Sequence, residues 1–519
     1  AIGAGRALLG FQKPSQEVPH PRFPLSTLHL WPALATAAAL PYLHGLTIGF
    51  LSDDFGLVRA AIEAESAADV IRLHPYVLFY RPLSELLWWA GAKLWGAAPL
   101  GYHVLHLALH AANSVLVSAL AARLLGSRIA AATAGLLFAL HPIHVEPVIW
   151  AACQPDLLAT AFALLSLLLL EAHLAATARP AQGLWLLAAL TAFGLSMFSK
   201  ESSLALPGVV VLRLALMSPV PSRRRTVGIG AAYAVVLIAF LGWRFSALGK
   251  IGGYKVSFIF WNTVFPSAPL RQLGAFFFPI HRPLLLDTGG LALLAAALLL
   301  MLAGLIWCIR GLAHVPARRL WFYLGYLAII SSPVWFIGNT IAADMENSRL
   351  AYLPTVALAW LFGDICAGRH AGKQFNFFPP AAMLLAAAAL TGWYVVPWKQ
   401  ADALAQDVLA AGRKLVSELP PAEQPPLLFV RGLPDIHRGA QVFRSGFEPA
   451  LRTAAERPLL IRTVARHAGS ASVAAEAFQF SSLLPNEYEV AWRGDTKTME
   501  IVRSGTIRAP NARLSGSSP

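Results

Sequence analysis

The chain is predicted to be a polytopic α-helical membrane protein of about 11 spans, followed by a small C-terminal soluble α/β domain. Three observations carry that prediction. The 519 residues are 57% hydrophobic and only 13% charged. Apolar stretches near the roughly 20 residues needed to cross a hydrocarbon core recur from residue 30 onward. Past residue 396 the pattern stops, and 27 charged residues fall among 397–519.

The apolar runs lie at 30–51, 102–122, 129–140, 157–174, 184–198, 204–217, 227–245, 291–307, 320–337, 351–367 and 377–396. Several are short, and the stretches after Asp54 and after His141 suit interfacial or re-entrant helices. Residues 1–29 read as a polar cytoplasmic segment without the apolar core of a signal peptide. Residues 30–396 form the transmembrane part. Residues 397–510 form the α/β domain, with a helix expected at 398–416 and strands at 427–430, 459–464 and 488–492. The stretches 487–492 and 498–502, joined around Gly494-Asp495, pattern as a hairpin. Residues 511–519 are expected to be disordered.

The net charge of +14 invites a nucleic-acid reading, which the distribution of the charge rejects. Arg123 with Arg128, Arg223-Arg224-Arg225, Arg310 with Arg318 and Arg319, and Arg369 with Lys373 sit in short loops between spans. That is the positive-inside pattern of a membrane protein. It places the N-terminus in the cytoplasm and, with an odd number of spans, the C-terminal domain outside. Cys153, Cys308 and Cys366 lie in or beside apolar runs, so no disulfide framework is implied.

Five polar clusters then fall on the outer side. Asp53-Asp54 follows the first run, with Arg59, Arg72 and Arg81 in the same loop. Such acids can act as a general base toward an acceptor hydroxyl, and such arginines attract phosphate; a solvated loop is the bland alternative. His103, His106, His110 and Asn113 share one face of the second span. His106 and His110 have metal-ligand spacing, but hydrogen bonding between helices is the commoner use of such a stripe, and no metal is expected. His141, His144 and Glu146, with Trp150, Gln154 and Asp156, surround Pro142 and Pro147, which break the helix there. These groups could position a substrate or merely form an interfacial turn.

Ser199-Lys200-Glu201 occupies a link too short for a loop. Lys200 can face a lipid-linked phosphate or pair with Glu201. Asp344, Glu346, Asn347 and Arg349 precede the next run, and Arg349 can hold a phosphate or anchor a helix end with Glu346. Lys250, Lys255, Arg271, His281 and Arg282 add basic groups in the loop at 246–290. There is no P-loop, no dinucleotide fingerprint and no nucleophile elbow.

Taken in order, these clusters resemble the C-type glycosyltransferase superfamily. Within it they look most like the transmembrane O-mannosyltransferases with tetratricopeptide repeats and their bacterial relatives. The resemblance rests on Ser52-Asp53-Asp54-Phe55, Tyr80-Arg81-Pro82-Leu83 and Gly101-Tyr102-His103 through His110 and Asn113. It continues through Phe138-Ala139-Leu140-His141-Pro142-Ile143-His144-Val145-Glu146, Trp150 and Asp156-Leu157-Leu158. Ser199-Lys200-Glu201 and Arg349-Leu350-Ala351-Tyr352-Leu353-Pro354 complete it, over about residues 30–365.

The resemblance implies a transferase that takes a sugar from a polyprenyl-phosphate carrier and attaches it at the outer membrane face. It implies a catalytic base in the first outer loop, here Asp53 with Asp54 beside it. Arg81, Lys200, Arg282 and Arg349 are then candidates for the donor phosphate. His103, His141, His144, Glu146, Asp156, Glu201 and Glu346 are candidates for positioning. The partners expected are membrane lipids, the lipid-linked donor and a protein, glycan or lipid acceptor, in a bacterial inner membrane. No cofactor is implied, and assistance by a divalent cation stays open.

Two departures stand out. Gln154-Pro155 replaces an arginine common before the Asp-Leu-Leu run, and the tail holds an α/β module instead of helical repeats. The main alternative is a transporter or flippase of a lipid-linked or anionic substrate. Such a protein often shows repeated halves and midplane charges, and neither is evident here.

Overall fold

A computed structural model describes residues 30–71, 79–249, 267–337, 341–371, 376, 378–420, 424–455, 459–464 and 487–504. The expectations placed on 1–29, Arg72, Lys250, Lys255 and 511–519 lie outside the described residues.

The described chain is a helical bundle closed at one end by a small sheet. Its helices are α1 (Leu30–Ala39), α2 (Asp53–Glu63), α3 (Ala67–Ile71), α4 (Pro82–Trp95), α5 (Pro99–Leu125) and α6 (Arg128–Leu140). Then come α7 (Val145–Ile149), α8 (Gln154–Ala175), α9 (Arg179–Ser199), α10 (Leu206–Leu216), α11 (Arg223–Leu248) and α12 (Ala268–Phe277). The remainder are α13 (Arg282–Gly311), α14 (Ala317–Ile337), α15 (Thr355–Ala371), α16 (Phe378–Tyr394), α17 (Val396–Glu418) and α18 (Phe447–Ala454).

Among the described residues, five helical stretches are long and apolar enough to cross a membrane, or six if one bent pair counts as a span. They are Pro99–Leu125, Ala151–Ala175, Arg179–Ser199, Arg223–Leu248 and Phe378–Glu418. The sequence expectation of about 11 is therefore not reached by this criterion. One reason is plain at the first run: α1 ends at Ala39, and a 3-10 turn, Leu40–Gly45, takes over where Pro41 removes an amide donor. Peripheral helices keep their apolar surface outward. On α11, Val227, Val235, Ile238, Trp243 and Phe245 are exposed, as suits a lipid-facing helix.

Two breaks matter for the site. The stretch after Asp54 lies in α2, α3 and α4, none long enough to span. Between α6 and α7 the axis bends by 49° at His141-Pro142. A bend inside a bundle frees backbone carbonyls that must find donors.

Among the described residues after Val396, the expected helix and strands are present, together with elements the pattern did not show. α17 lines Ala401, Ala405, Val408, Leu409, Gly412 and Leu415 along one buried stripe. β1 (Leu427–Arg431), β4 (Leu460–Val464), β5 (Glu487–Arg493) and β6 (Thr498–Ser504) form a sheet in the order β4-β1-β5-β6. β1 runs parallel to β4 and β5, while β5 and β6 make the expected antiparallel hairpin. A smaller ladder pairs β2 (Ile436–His437) with β3 (Ala440–Gln441). Its two-residue turn uses Arg438 at φ 49° and Gly439 at φ 79°, the left-handed pair that suits a tight hairpin.

Candidate active site

The acid pair starts α2, where carboxylates suit the positive end of the helix. Its two members do different things. Asp54 is 1% exposed, and its carboxylate accepts the Leu51 N–H at 2.9 Å and the Ala152 N–H at 2.6 Å. Burial pushes its pKa well up, against those two N–H donors, which favour the carboxylate. Asp54 thus ties the first loop to the broken segment at 151–153. Asp53 is exposed, and its carboxylate accepts a hydrogen bond from the Ser445 hydroxyl. Of the two acids, only Asp53 has an exposed carboxylate.

The second wall is the break after α6. Glu146, 2% exposed, accepts the Arg349 N–H at 2.8 Å and the Ser348 hydroxyl at 3.3 Å, and its second oxygen accepts the Arg349 guanidinium. Burial works against the charge of Arg349, yet Glu146 outweighs it and holds the guanidinium pKa above its ordinary range. That guanidinium lies over the Trp150 ring, 5.2 Å from its centroid, and the Trp150 indole donates to the Leu51 carbonyl at 3.2 Å. Arg349 therefore pairs with Glu146, and the expected alternative partner, Glu346, is bonded instead to Arg444 at 3.0 Å. Burial raises the Glu346 pKa more than Arg444 lowers it.

The third wall joins α8, α9 and the 3-10 turn Glu201–Ala205. Lys200 holds both oxygens of Asp156 at 2.6 Å, so its partner is not its neighbour Glu201. Glu201 takes a two-point fork from Arg81, at 2.9 and 3.0 Å, with the Arg244 guanidinium 3.8 Å away. Burial raises the Glu201 pKa, but the two arginines overcome it and hold the carboxylate at about 2. Lys200, Arg81 and Arg244 thus meet Asp156 and Glu201 in one place. The Cys153 N–H donates to the Trp150 carbonyl at 3.0 Å, so the chain runs from Trp150, under Arg349, through Cys153 to Asp156 and joins the second wall to the third.

The histidines occupy the freed carbonyls. His103 bonds the Ile48 carbonyl at 2.9 Å, His144 that of Phe138 at 2.8 Å and His141 that of Phe276 at 3.2 Å. His110 bonds the Ala139 carbonyl at 3.1 Å and the Tyr352 hydroxyl at 2.8 Å, and Asn113 bonds the Leu157 carbonyl at 3.0 Å. All are buried, so these groups hold helix ends and breaks together from within. Among the described residues no three His, Cys, Asp or Glu side chains are grouped to hold a metal ion.

Gln154, in the place where the resemblance leads one to look for arginine, donates to the Ser84 carbonyl at 3.0 Å and pins α4 to the break. Arg282 opens α13 and is exposed; its amide donates to the Ala343 carbonyl at 3.0 Å, beside the loop of Asp344 and Glu346. Sequence reasoning passed over Arg244, 2% exposed at the end of an apolar run, although an arginine in such a run was a visible signal. It also passed over Arg444 and Ser445, for which no local signal exists.

No family model matches the chain. The chain is related in sequence to curated protein O-mannosyl-transferases. It is 32% identical over 178 residues to Protein O-mannosyl-transferase TMTC2 of Homo sapiens, covering 33% of this chain and 21% of that protein. It is 32% identical over 145 residues to Protein O-mannosyl-transferase Tmtc1 of Drosophila melanogaster, covering 26% of this chain and 17% of that one. The matches thus span about a fifth of the relatives' own length.

Among solved structures, ArnT from Cupriavidus metallidurans bound to undecaprenyl phosphate is similar with a TM-score of 0.46 at 13% identity, over 84% of this chain and 86% of that one. AglB from Archaeoglobus fulgidus, an archaeal oligosaccharyltransferase, is similar with a TM-score of 0.45 at 12% identity, over 83% of this chain and 64% of that one. At that level of similarity neither structure carries functional weight.

Proposed function

We propose that this chain is a membrane glycosyltransferase of the C type, moving a sugar from a polyprenyl-phosphate carrier to an acceptor hydroxyl at the outer membrane face. The observation that carries the reading is the exposed Asp53 carboxylate joined, through Asp54 and Trp150, to a buried cluster rich in guanidinium and ammonium groups. The sequence relation to protein O-mannosyl-transferases supports it.

The chemistry needs few parts. A sugar on a phosphate carrier is already activated, because phosphate leaves well. Asp53 takes the proton of the incoming hydroxyl, and the electron pair of the broken C1–O bond leaves on the phosphate. Lys200, Arg81 and Arg349, with Arg282 at the rim, stabilise the charge that collects there. One direct displacement inverts the anomeric centre. Glu146, Asp156 and Glu201 position these cations. Glu346 and the histidines 103, 141 and 144 act from farther out, on loops and helix ends.

In this reading residues 30–396 are the catalytic membrane domain, 1–29 are cytoplasmic, and 397–510 lie outside a bacterial inner membrane. The acceptor is a protein, glycan or lipid hydroxyl. The test is the chain reconstituted in liposomes with a radiolabelled polyprenyl-phosphate sugar. Label transferred to a hydroxyl acceptor supports the proposal. Label moved across the bilayer on its intact carrier favours a flippase and overturns it.

A further inference from the structure

A base and a set of cations do not require the segment that lies on them. After β3 the chain crosses the start of α2 through Val442, Phe443, Arg444, Ser445 and Gly446. The Val442 carbonyl accepts the Ser52 N–H at 2.9 Å, and the Ser445 N–H donates to the Ser52 hydroxyl at 3.2 Å. Phe443 stacks on Phe55, with ring centroids 5.9 Å apart and planes 20° from parallel. Gly446 sits at φ 79° with the Ser52 carbonyl against it, where a Cβ would not fit. Val442, Phe443 and Phe447 are buried, while Arg444 and Ser445 between them are exposed.

Apolar anchors on both sides therefore hold the Ser445 hydroxyl against the Asp53 carboxylate and 3.2 Å from the Ser52 hydroxyl. The Ser445 hydroxyl donates to the Asp53 carboxylate. Both groups face water, so that bond adds little to stability. An aspartate that only needed satisfying is handled otherwise in this loop, since Asp54 takes two backbone N–H groups in the interior. An exposed hydroxyl resting on a proton-accepting carboxylate has the geometry of an acceptor.

We infer that Ser445 is a self-acceptor, a glycosylation site that the chain presents to its own base; this rests on the role of Asp53 under the proposed function. The Ser445 Oγ–C1 bond forms as the C1–O bond to the carrier phosphate breaks. The phosphate keeps the electron pair, and the Oγ proton passes to Asp53. Serine or threonine serves equally, and alanine does not.

Full-length protein purified from its membrane and cut with trypsin reports directly. Cleavage after Arg444 and Arg452 releases Ser-Gly-Phe-Glu-Pro-Ala-Leu-Arg, whose sole hydroxyl is that of Ser445. Mass spectrometry is expected to find one added sugar on this peptide in the wild type and in Ser445→Thr. The added mass is absent from Ser445→Ala and from Asp53→Asn, with folding of each checked by thermal unfolding. A bare peptide from wild-type protein that passes sugar to an external hydroxyl overturns the inference and spares the proposed function. A sugar retained in Asp53→Asn removes Asp53 from both. Wild-type protein that neither carries nor transfers sugar from a polyprenyl phosphate overturns both.

Discussion

The two ends of the bundle bury charge in opposite ways. At the end away from the sheet, Glu171 and Arg213 form a two-point pair, with one bond of 2.7 Å. The same guanidinium also donates to the Met217 and Pro219 carbonyls at 3.2 and 3.1 Å. Near that end Asp364 is held by Arg319 at 2.7 Å and by the Tyr323 hydroxyl at 3.0 Å. These sets consume their own donors and fasten helices. At the sheet end Glu201 serves two arginines, Lys200 rests on Asp156, and Asp53 stands exposed. Burial alone does not separate a fastener from a site. Whether a carboxylate of the cluster is exposed, as Asp53 is, separates them better.

Four measurements sharpen or break that contrast. Asp53→Asn keeps the shape and removes the proton acceptor, so turnover is expected to fall about 10²–10⁴-fold with donor affinity within a few fold. Wild-type turnover in this variant and in Asp53→Asn with Asp54→Asn would sink the catalytic reading. At the other end, Arg213→Ala strands a buried carboxylate, and a loss of about 3–5 kcal/mol in stability is expected. Replacing both partners, Arg213→Met with Glu171→Leu, is expected to restore most of it; calorimetry in detergent reads both, with turnover per folded molecule unchanged.

Lys200→Ala and Arg349→Ala are each expected to weaken donor use about tenfold, since a charge-assisted bond contributes about 1.5–3 kcal/mol. Unchanged donor kinetics with lowered stability would make these pairs fasteners like those of the far end. The smallest effect concerns acid. The Glu201 pKa is about 2 when folded against an ordinary 4.5, so its contribution is full above the higher value and fades as pH falls toward the lower. The unfolding midpoint of the wild type is therefore expected to drop more steeply across that window than that of Glu201→Gln.

Much of this was legible in the sequence, where the signal is local. The hairpin of β5 and β6 followed from alternation around Gly494-Asp495, and the break at His141 followed from Pro142 and Pro147. The stripe of histidines read as helix-to-helix bonding, and those side chains meet carbonyls. What failed to show was pairing at a distance. Neighbours in sequence suggested Lys200 with Glu201 and Arg349 with Glu346, whereas the fold selects Asp156 and Glu146, the latter two hundred residues away. A chain's charge pattern gives the inventory of ions; packing decides the partners. The segment over Asp53 was invisible for the same reason.

The bond between the Ser52 amide and the Val442 carbonyl also has a temporal meaning. Ribosomes deliver the start of α2 long before the segment that crosses it; Ser52 and Ser445 are 393 positions apart. A nascent bundle can enter the bilayer with its first loop held from within by Asp54 and Trp150, and the Asp53 carboxylate then stands without the segment that later crosses it. The covered form of the loop arrives only with the segment at 442–446. A polypeptide interrupted before Val442 would therefore carry a first loop without its covering segment, and under the proposed function the order of synthesis itself would set when Asp53 meets Ser445.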